Sequence, residues 1–208
     1  MLDPQLTDVS NHPLCIPGTR LAVLDQTIHW AFSDTKDNIL LLQGVAGSGK
    51  STLGLTVASR AESVGRLGAR LVFRRAQTDP ASVIRTLAYK LALFDASIAA
   101  HVCTAIEGNK QILDMPSIAQ IDSLLIKPLT MAANSIPGPV VIVLDALDEC
   151  GTPESRKNLM KVLRQALSTL PPKFRFSITD RPENDIQISF SSSSLNVRLD
   201  HTPNTYGA

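Results

Sequence analysis

The stretch LLLQGVAGSGKST, residues 40–52, carries three glycines and one lysine between an apolar block and the start of a helical pattern. Gly44, Gly49, Lys50 and Ser51 occupy the fixed positions of G-x-x-x-x-G-K-[ST], the Walker A or P-loop pattern. Glycines let successive backbone N–H groups turn toward one centre with no Cβ in the way, and the following helix presents its N-terminus to the same point. An anion such as a β-phosphate fits there. Gly44, Val45, Ala46, Gly47, Ser48, Gly49, Lys50, Ser51 and Thr52 therefore form the expected nucleotide-binding segment. Lys50 would lie along the phosphate oxygens as a point charge, and the Ser51 hydroxyl is suited to ligate a bridging Mg²⁺.

A glycine-rich turn between any strand and any helix is the plainer alternative, and the flanks decide against it. NILLLQ (38–43) reads as a buried strand, and STLGLTVASRAES (51–63) as a helix.

A phosphate loop needs a metal-holding acid from the far side. GPVVIVLDALDEC (138–150) supplies a strand apolar on both faces, ending at Asp145, the Walker B pattern. Asp148 and Glu149 follow within one turn, where a carboxylate can polarise a water for in-line attack, as base or as orienting group. On its own this segment is equally a charged loop after a strand. The next strand candidate, FRFSITDRP (174–182), brings Thr179, Asp180 and Arg181 to the same edge of a parallel sheet. Arg181 there could sense or neutralise a γ-phosphate; a surface salt bridge is the bland alternative.

Outward from these motifs, RLAVLDQTIHWAF (20–32) predicts a helix with Leu21, Leu24, Ile28, Ala31 and Phe32 on its apolar face. A second strand is expected over 69–75, then a helix capped by Asp79 with Val83, Ile84, Leu87 and Leu91 facing the core. Helices follow near 96–107 and 117–134, the latter expected to kink or end at Pro128. A helix capped by Thr152 has Leu159, Val162, Leu163, Ala166, Leu167 and Leu170 as its apolar face and Lys157, Lys161 and Arg164 in solvent. LNVRL (195–199) is a possible fifth strand, and the serines at 191–194 suggest a flexible loop. Strands separated by helices mean a parallel sheet with right-handed crossovers.

At 208 residues the chain fits one domain better than two. Twenty Lys and Arg against nineteen Asp and Glu leave a net charge of +1, without the basic footprint of a nucleic-acid binder. Cys15, Cys103 and Cys150 are far apart and form no C-x-x-C pair, which argues against a zinc site or disulfide framework. No apolar run approaches the ~20 residues of a membrane span, and the N-terminus lacks a signal-peptide core. A cytoplasmic protein without membrane contact is expected.

Four stretches together resemble the NACHT domain of fungal NOD-like and nephrocystin-type proteins, in the STAND class of signal-transducing P-loop NTPases. They are CIPGTR (15–20) ahead of a Trp-containing helix, GVAGSGKST (44–52), LDALDEC (144–150) and DRPENDI (180–186). TLAYKLALFD (86–95) and LLIKPL (124–129) are similar to segments that such domains carry between the Walker motifs.

The resemblance implies an α/β fold, a three-layer P-loop NTPase sandwich with a mostly parallel sheet of about five strands. It implies an irregular lead-in over 1–18, the NTPase core over 19–200 and a tail over 201–208. Carried over, it implies ATP or ADP with Mg²⁺, Lys50 on phosphate, Ser51 and Asp145 on the metal, Asp148 or Glu149 near the hydrolytic water, and Arg181 as sensor. It further implies that Pro17, Gly18, Thr19 and Arg20 close over the adenine and ribose.

Two departures stand out. The usual T-S-R-P reads Thr179, Asp180, Arg181, Pro182 here, so Asp180 is expected to pair with Arg181 or repel nucleotide. LVFRRAQTDP lacks the usual aromatic-rich stretch, leaving Arg74 and Arg75 as weak candidates. Family members continue into helical, winged-helix and repeat domains, so a fragment, a truncated product or a core working with other domains or chains is expected, with oligomerisation in full-length relatives.

Three functions fit these residues. A nucleotide-operated signalling switch with weak hydrolysis fits the acidic DALDE segment best. A small-molecule or nucleotide kinase shares the loop but commonly needs an arginine-rich lid. An interaction module that binds nucleotide without useful hydrolysis is the third.

Overall fold

The computed structural model describes residues 14–15, 20–74 and 79–181, together with the backbone of 195–199. Strands β1 (Ile39–Gly44), β2 (Leu67–Val72), β3 (Val140–Asp145), β4 (Phe174–Asp180) and β5 (Leu195–Leu199) form one sheet in the order β2-β3-β4-β1-β5. Every pairing is parallel. All six residues of β3 and all seven of β4 are buried, as strands covered on both faces must be.

Alternation along the strands sorts side chains into two cores. Leu40, Leu42, Val141 and Val143 pack against α1 (Leu21–Phe32) and α2 (Lys50–Ser63) through Trp30, Leu53, Val57 and Ala61. Ile39, Leu41, Leu71, Ile142, Phe174, Phe176 and Ile178 face the other way, toward α3 (Val83–Phe94) and α7 (Pro153–Thr169). Beside them lie α4 (Ala96–Gly108), α5 (Ser117–Ile121) and α6 (Lys127–Ala132). The expected three-layer α/β sandwich is the architecture found.

Helix starts follow local chemistry. Asp79 accepts from the Ala81 N–H ahead of α3, and Thr152 forms a capping box with Ser155 at α7. The predicted apolar faces of α3 and α7 are buried, and Lys157, Lys161 and Arg164 are exposed.

Two expectations need correction. Leu21, at the start of α1, is 55% exposed, whereas Ala31 is fully buried and Leu24, Ile28 and Phe32 pack partly buried against the core as expected, with Thr27 and Trp30 added to that face. The second strand starts two residues and ends three residues earlier than predicted, with Leu67 paired to Val141 and Val72 to Asp145 toward the two ends of its partner; Arg75 lies outside the described residues. The helical run expected to kink or end at Pro128 is interrupted there without ending. Residues Asp122–Ile126 form a π turn directly ahead of α6, which carries the proline in its first turn, so the α-helical repeat is interrupted at this place.

Among the described residues no helix is long and apolar enough to cross a membrane. The serines at 191–194 lie outside the described residues.

Candidate functional site

Because β4 lies between β1 and β3, the segments leaving the C-terminal ends of all three strands converge at one edge. They enclose a cavity of about 370 Å³. Ala46, Gly47, Lys50 and Ser51 line it from the β1 side, Asp145, Asp148 and Glu149 from the β3 side, and Thr179 and Arg181 from β4. Arg74 is also on its wall. Gly44, Val45, Ser48, Gly49 and Thr52 belong to the same loop and helix start but not to the wall.

Gly47 (φ 78°) and Gly49 (φ 81°) adopt left-handed backbone, which a side chain would strain. Lys50 Nζ donates to the carbonyls of Gly44 (2.6 Å) and Val45 (2.9 Å), using two of its three donors across the loop mouth. Burial pushes the Lys50 pKa down; Asp148 opposes that, Arg181 adds to it, and Asp180 and Asp145 oppose it more weakly.

Asp145 is held by β4. The Thr179 hydroxyl donates to Asp145 Oδ1 at 2.5 Å and accepts the Ala146 N–H at 2.8 Å. Ala146 takes left-handed φ (59°) without being glycine, a strained conformation that turns the chain into the short helical turn Leu147–Glu149. A hard divalent cation seeks oxygen ligands and commonly takes one or two carboxylates plus substrate phosphates. Ser51 and Asp145 across the cavity fit that donor set, and among the described residues no cluster of three acidic, His or Cys side chains offers a complete protein cage.

Arg181 does not pair with its neighbour Asp180 as expected. Its Nε lies 3.2 Å from Asp148 Oδ2 and its Nη2 3.5 Å from Glu149 Oε1. Asp180 is fully buried beside Gln43 of β1, on the sheet face that carries Phe174, Phe176 and Ile178. Strand alternation turns it away from the Thr179 face.

Gly18 and Thr19 lie outside the described residues. Arg20 has positive φ (53°), and its guanidinium lies against the loop itself: a Cβ at Gly49 would stand 3.2 Å from Arg20 Nη1.

One residue escaped sequence reasoning. Arg156 is 4% exposed, and its Nη1 donates to the Asp148 carbonyl at 2.5 Å. The signal was present, since position 156 precedes Leu159 and Leu163 at helical spacing on the buried stripe of α7.

The profile of the family described as "Nephrocystin 3, N-terminal" matches residues 18–181. The chain belongs to that family. Within this nephrocystin-type domain the matched span runs from Gly18 to Arg181, ending on the arginine at the cavity wall. No curated protein sequence matches the chain. Among solved structures, the Aeropyrum pernix ORC1 protein, solved in complex with DNA, is similar with a TM-score of 0.51 and 21% identity, over 93% of this chain and 47% of that one. The chain thus spans about half the length of that protein. Pif1 helicase from Candida albicans is similar over 90% of this chain and 40% of that one, with 11% identity and a TM-score of 0.39. The fold is that of P-loop NTPases.

Proposed function

We propose that this nephrocystin-type domain binds ATP and ADP with Mg²⁺ and hydrolyses ATP slowly, as the core of a NACHT-type signalling switch of the STAND class. The observation that carries the reading is the convergence of Lys50, Ser51, Asp145, Asp148, Glu149 and Arg181 on one cavity of about 370 Å³. Lys50 and the N–H groups at the start of α2 hold phosphate; Ser51 and Asp145 hold the metal, which when bound neutralises charge developing on the phosphates. Asp148 or Glu149 orients the hydrolytic water, and Arg181 reads the γ-phosphate.

The two nucleotides bias the core between arrangements relative to other domains or chains, as a switch requires. The preference for adenine and the fungal NOD-like kinship rest on the motif resemblance alone. The protein acts in the cytoplasm, and its partners are protein domains rather than nucleic acid; the near-neutral charge is consistent with that choice of partner.

A second reading has its own support. Arg181 is engaged by both candidate water-positioning carboxylates, which favours a module that holds nucleotide with little turnover.

Equilibrium binding of fluorescent ATP and ADP, with and without Mg²⁺, tests the site. Micromolar affinity lost in folded Lys50→Ala is expected, and unchanged binding by that mutant would sink the assignment. Phosphate release by Glu149→Gln and Asp148→Asn separates the two readings: a loss relative to the parent supports hydrolysis, and transfer to an acceptor other than water would favour a kinase.

A further inference from the structure

Arg156 is a cation in an unfavourable position. It lies one turn into α7, close to the end of the helix whose dipole repels positive charge, and it is buried. Burying a guanidinium is tolerated when its donors are used, and one of them goes to the backbone carbonyl of Asp148. That carbonyl belongs to the turn that carries both acids on the cavity wall. The turn begins at strained Ala146, whose N–H is held by Thr179 from the other side. The acid-bearing segment is therefore gripped at two points, by β4 before it and by α7 beneath it.

We propose that Arg156 is a positioning residue, clamping the Asp148 carbonyl so that the Asp148 and Glu149 carboxylates are held toward the cavity to orient the attacking water. The proposal rests on the reading of those acids given above. Asp148 is the more constrained of the two, since it is 4% exposed and its Oδ1 also accepts the Arg181 N–H. Release of the clamp lets the turn relax from its strained start, and both carboxylates lose their aim while the phosphate loop, built on β1 and α2, is untouched.

Cys150, the next residue after Glu149, is a built-in probe of the clamp. It is fully buried, and burial raises its thiol to about 12 against the pull of the Arg156 charge. Removing that charge alone would raise the thiol further and slow its alkylation, so faster alkylation can only report opening of the turn.

In a C15S/C103S background Cys150 is the sole thiol. R156Q in that background is expected to react with iodoacetamide about tenfold faster under native conditions. ATP turnover is expected to fall roughly hundredfold in kcat at unchanged KM, with the Kd for Mg–ADP unchanged. Alkylation and turnover equal to the parent would overturn the clamp, and so would loss of ADP binding in parallel with turnover, which marks a merely structural role. A parent that hydrolyses no ATP would end the hydrolytic reading, while the alkylation rates still decide whether Arg156 holds the turn. Should R156Q fail to fold, R156K carries the comparison: a single ammonium cannot reproduce the planar fork, so intermediate rates are expected and parental rates would overturn the proposal.

Discussion

Arg181 is tied to Asp148 twice, by an ion pair from Nε to Oδ2 at 3.2 Å and by a backbone hydrogen bond from its N–H to Oδ1 at 3.3 Å. The acid is 3% exposed at its side chain and the arginine 42%, so the guanidinium is the partner that incoming phosphate can reach. Asp148 Oδ2 accepts no aligned hydrogen bond, which leaves the side-chain contact a simple ion pair that another anion can replace.

Arg181→Ala should therefore separate the nucleotides. A γ-phosphate loses its guanidinium and meets two uncompensated carboxylates, whereas ADP presents nothing at that point. The Kd for Mg–ATP is expected to rise about tenfold relative to that for Mg–ADP, or ~1.4 kcal/mol, measured by titration of each nucleotide. An equal loss for both would count against Arg181 as a γ-phosphate reader.

Asp180→Asn should leave nucleotide binding nearly intact despite its place beside Arg181. The carboxylate lies on the face of β4 shared with Ile178, beside Gln43. Its charge still favours the protonated form of Lys50, and hence adds negative potential near bound phosphate. Removing it is expected to tighten Mg–ATP by no more than about threefold, ~0.6 kcal/mol. A tenfold change in either direction would mean that Asp180 reaches the nucleotide.

Thr179→Val keeps shape and removes both bonds to the β3 loop. Asp145 Oδ1 and the Ala146 N–H then lose their partner, at a cost of about 1–3 kcal/mol in stability. The Mg²⁺ concentration for half-maximal nucleotide binding is expected to rise about tenfold, since outer partners of a metal-ligating carboxylate commonly matter at that level. Urea melts together with a Mg²⁺ titration check both, and an unchanged Mg²⁺ requirement would detach Thr179 from the metal site.

Alkaline pH should unfold the protein partly through Cys150. Burial pushes its thiol up to about 12 in the fold, so above the ordinary thiol range the folded state holds a proton that the unfolded chain has lost, and stability falls as pH rises. The slope from this group approaches about 1.4 kcal/mol per pH unit. Cys150→Ala is expected to flatten the decline in urea-melt stability between pH 9 and 11. Lys50, whose folded pKa is lowered, pulls the opposite way below 10.5 in both proteins and cancels in the comparison. Parallel curves for parent and variant would show that the thiol ionises freely in the fold.

Much of the domain was legible residue by residue because its signals are local. The phosphate loop is a run of nine residues, the caps at Asp79 and Thr152 act over three, and the apolar stripes of α3 and α7 repeat with the helix. The exposure of Leu21 and the π turn ahead of Pro128 were not legible, because burial at a helix end and a local change of helical repeat depend on packing that periodicity does not encode.

The sequence by itself determined that strand, phosphate loop and helix follow one another, that a buried strand ends in Asp145, and that acids and an arginine come after. Only the tertiary structure decided that β4 lies between β1 and β3, that Arg181 pairs with Asp148 instead of Asp180, and that Arg156 grips the acid turn from below. The physical reason is parity and distance. Strand alternation turns adjacent residues to opposite faces, so Asp180 leaves its chain neighbour's side, while residues 33 positions apart are joined by strand order alone.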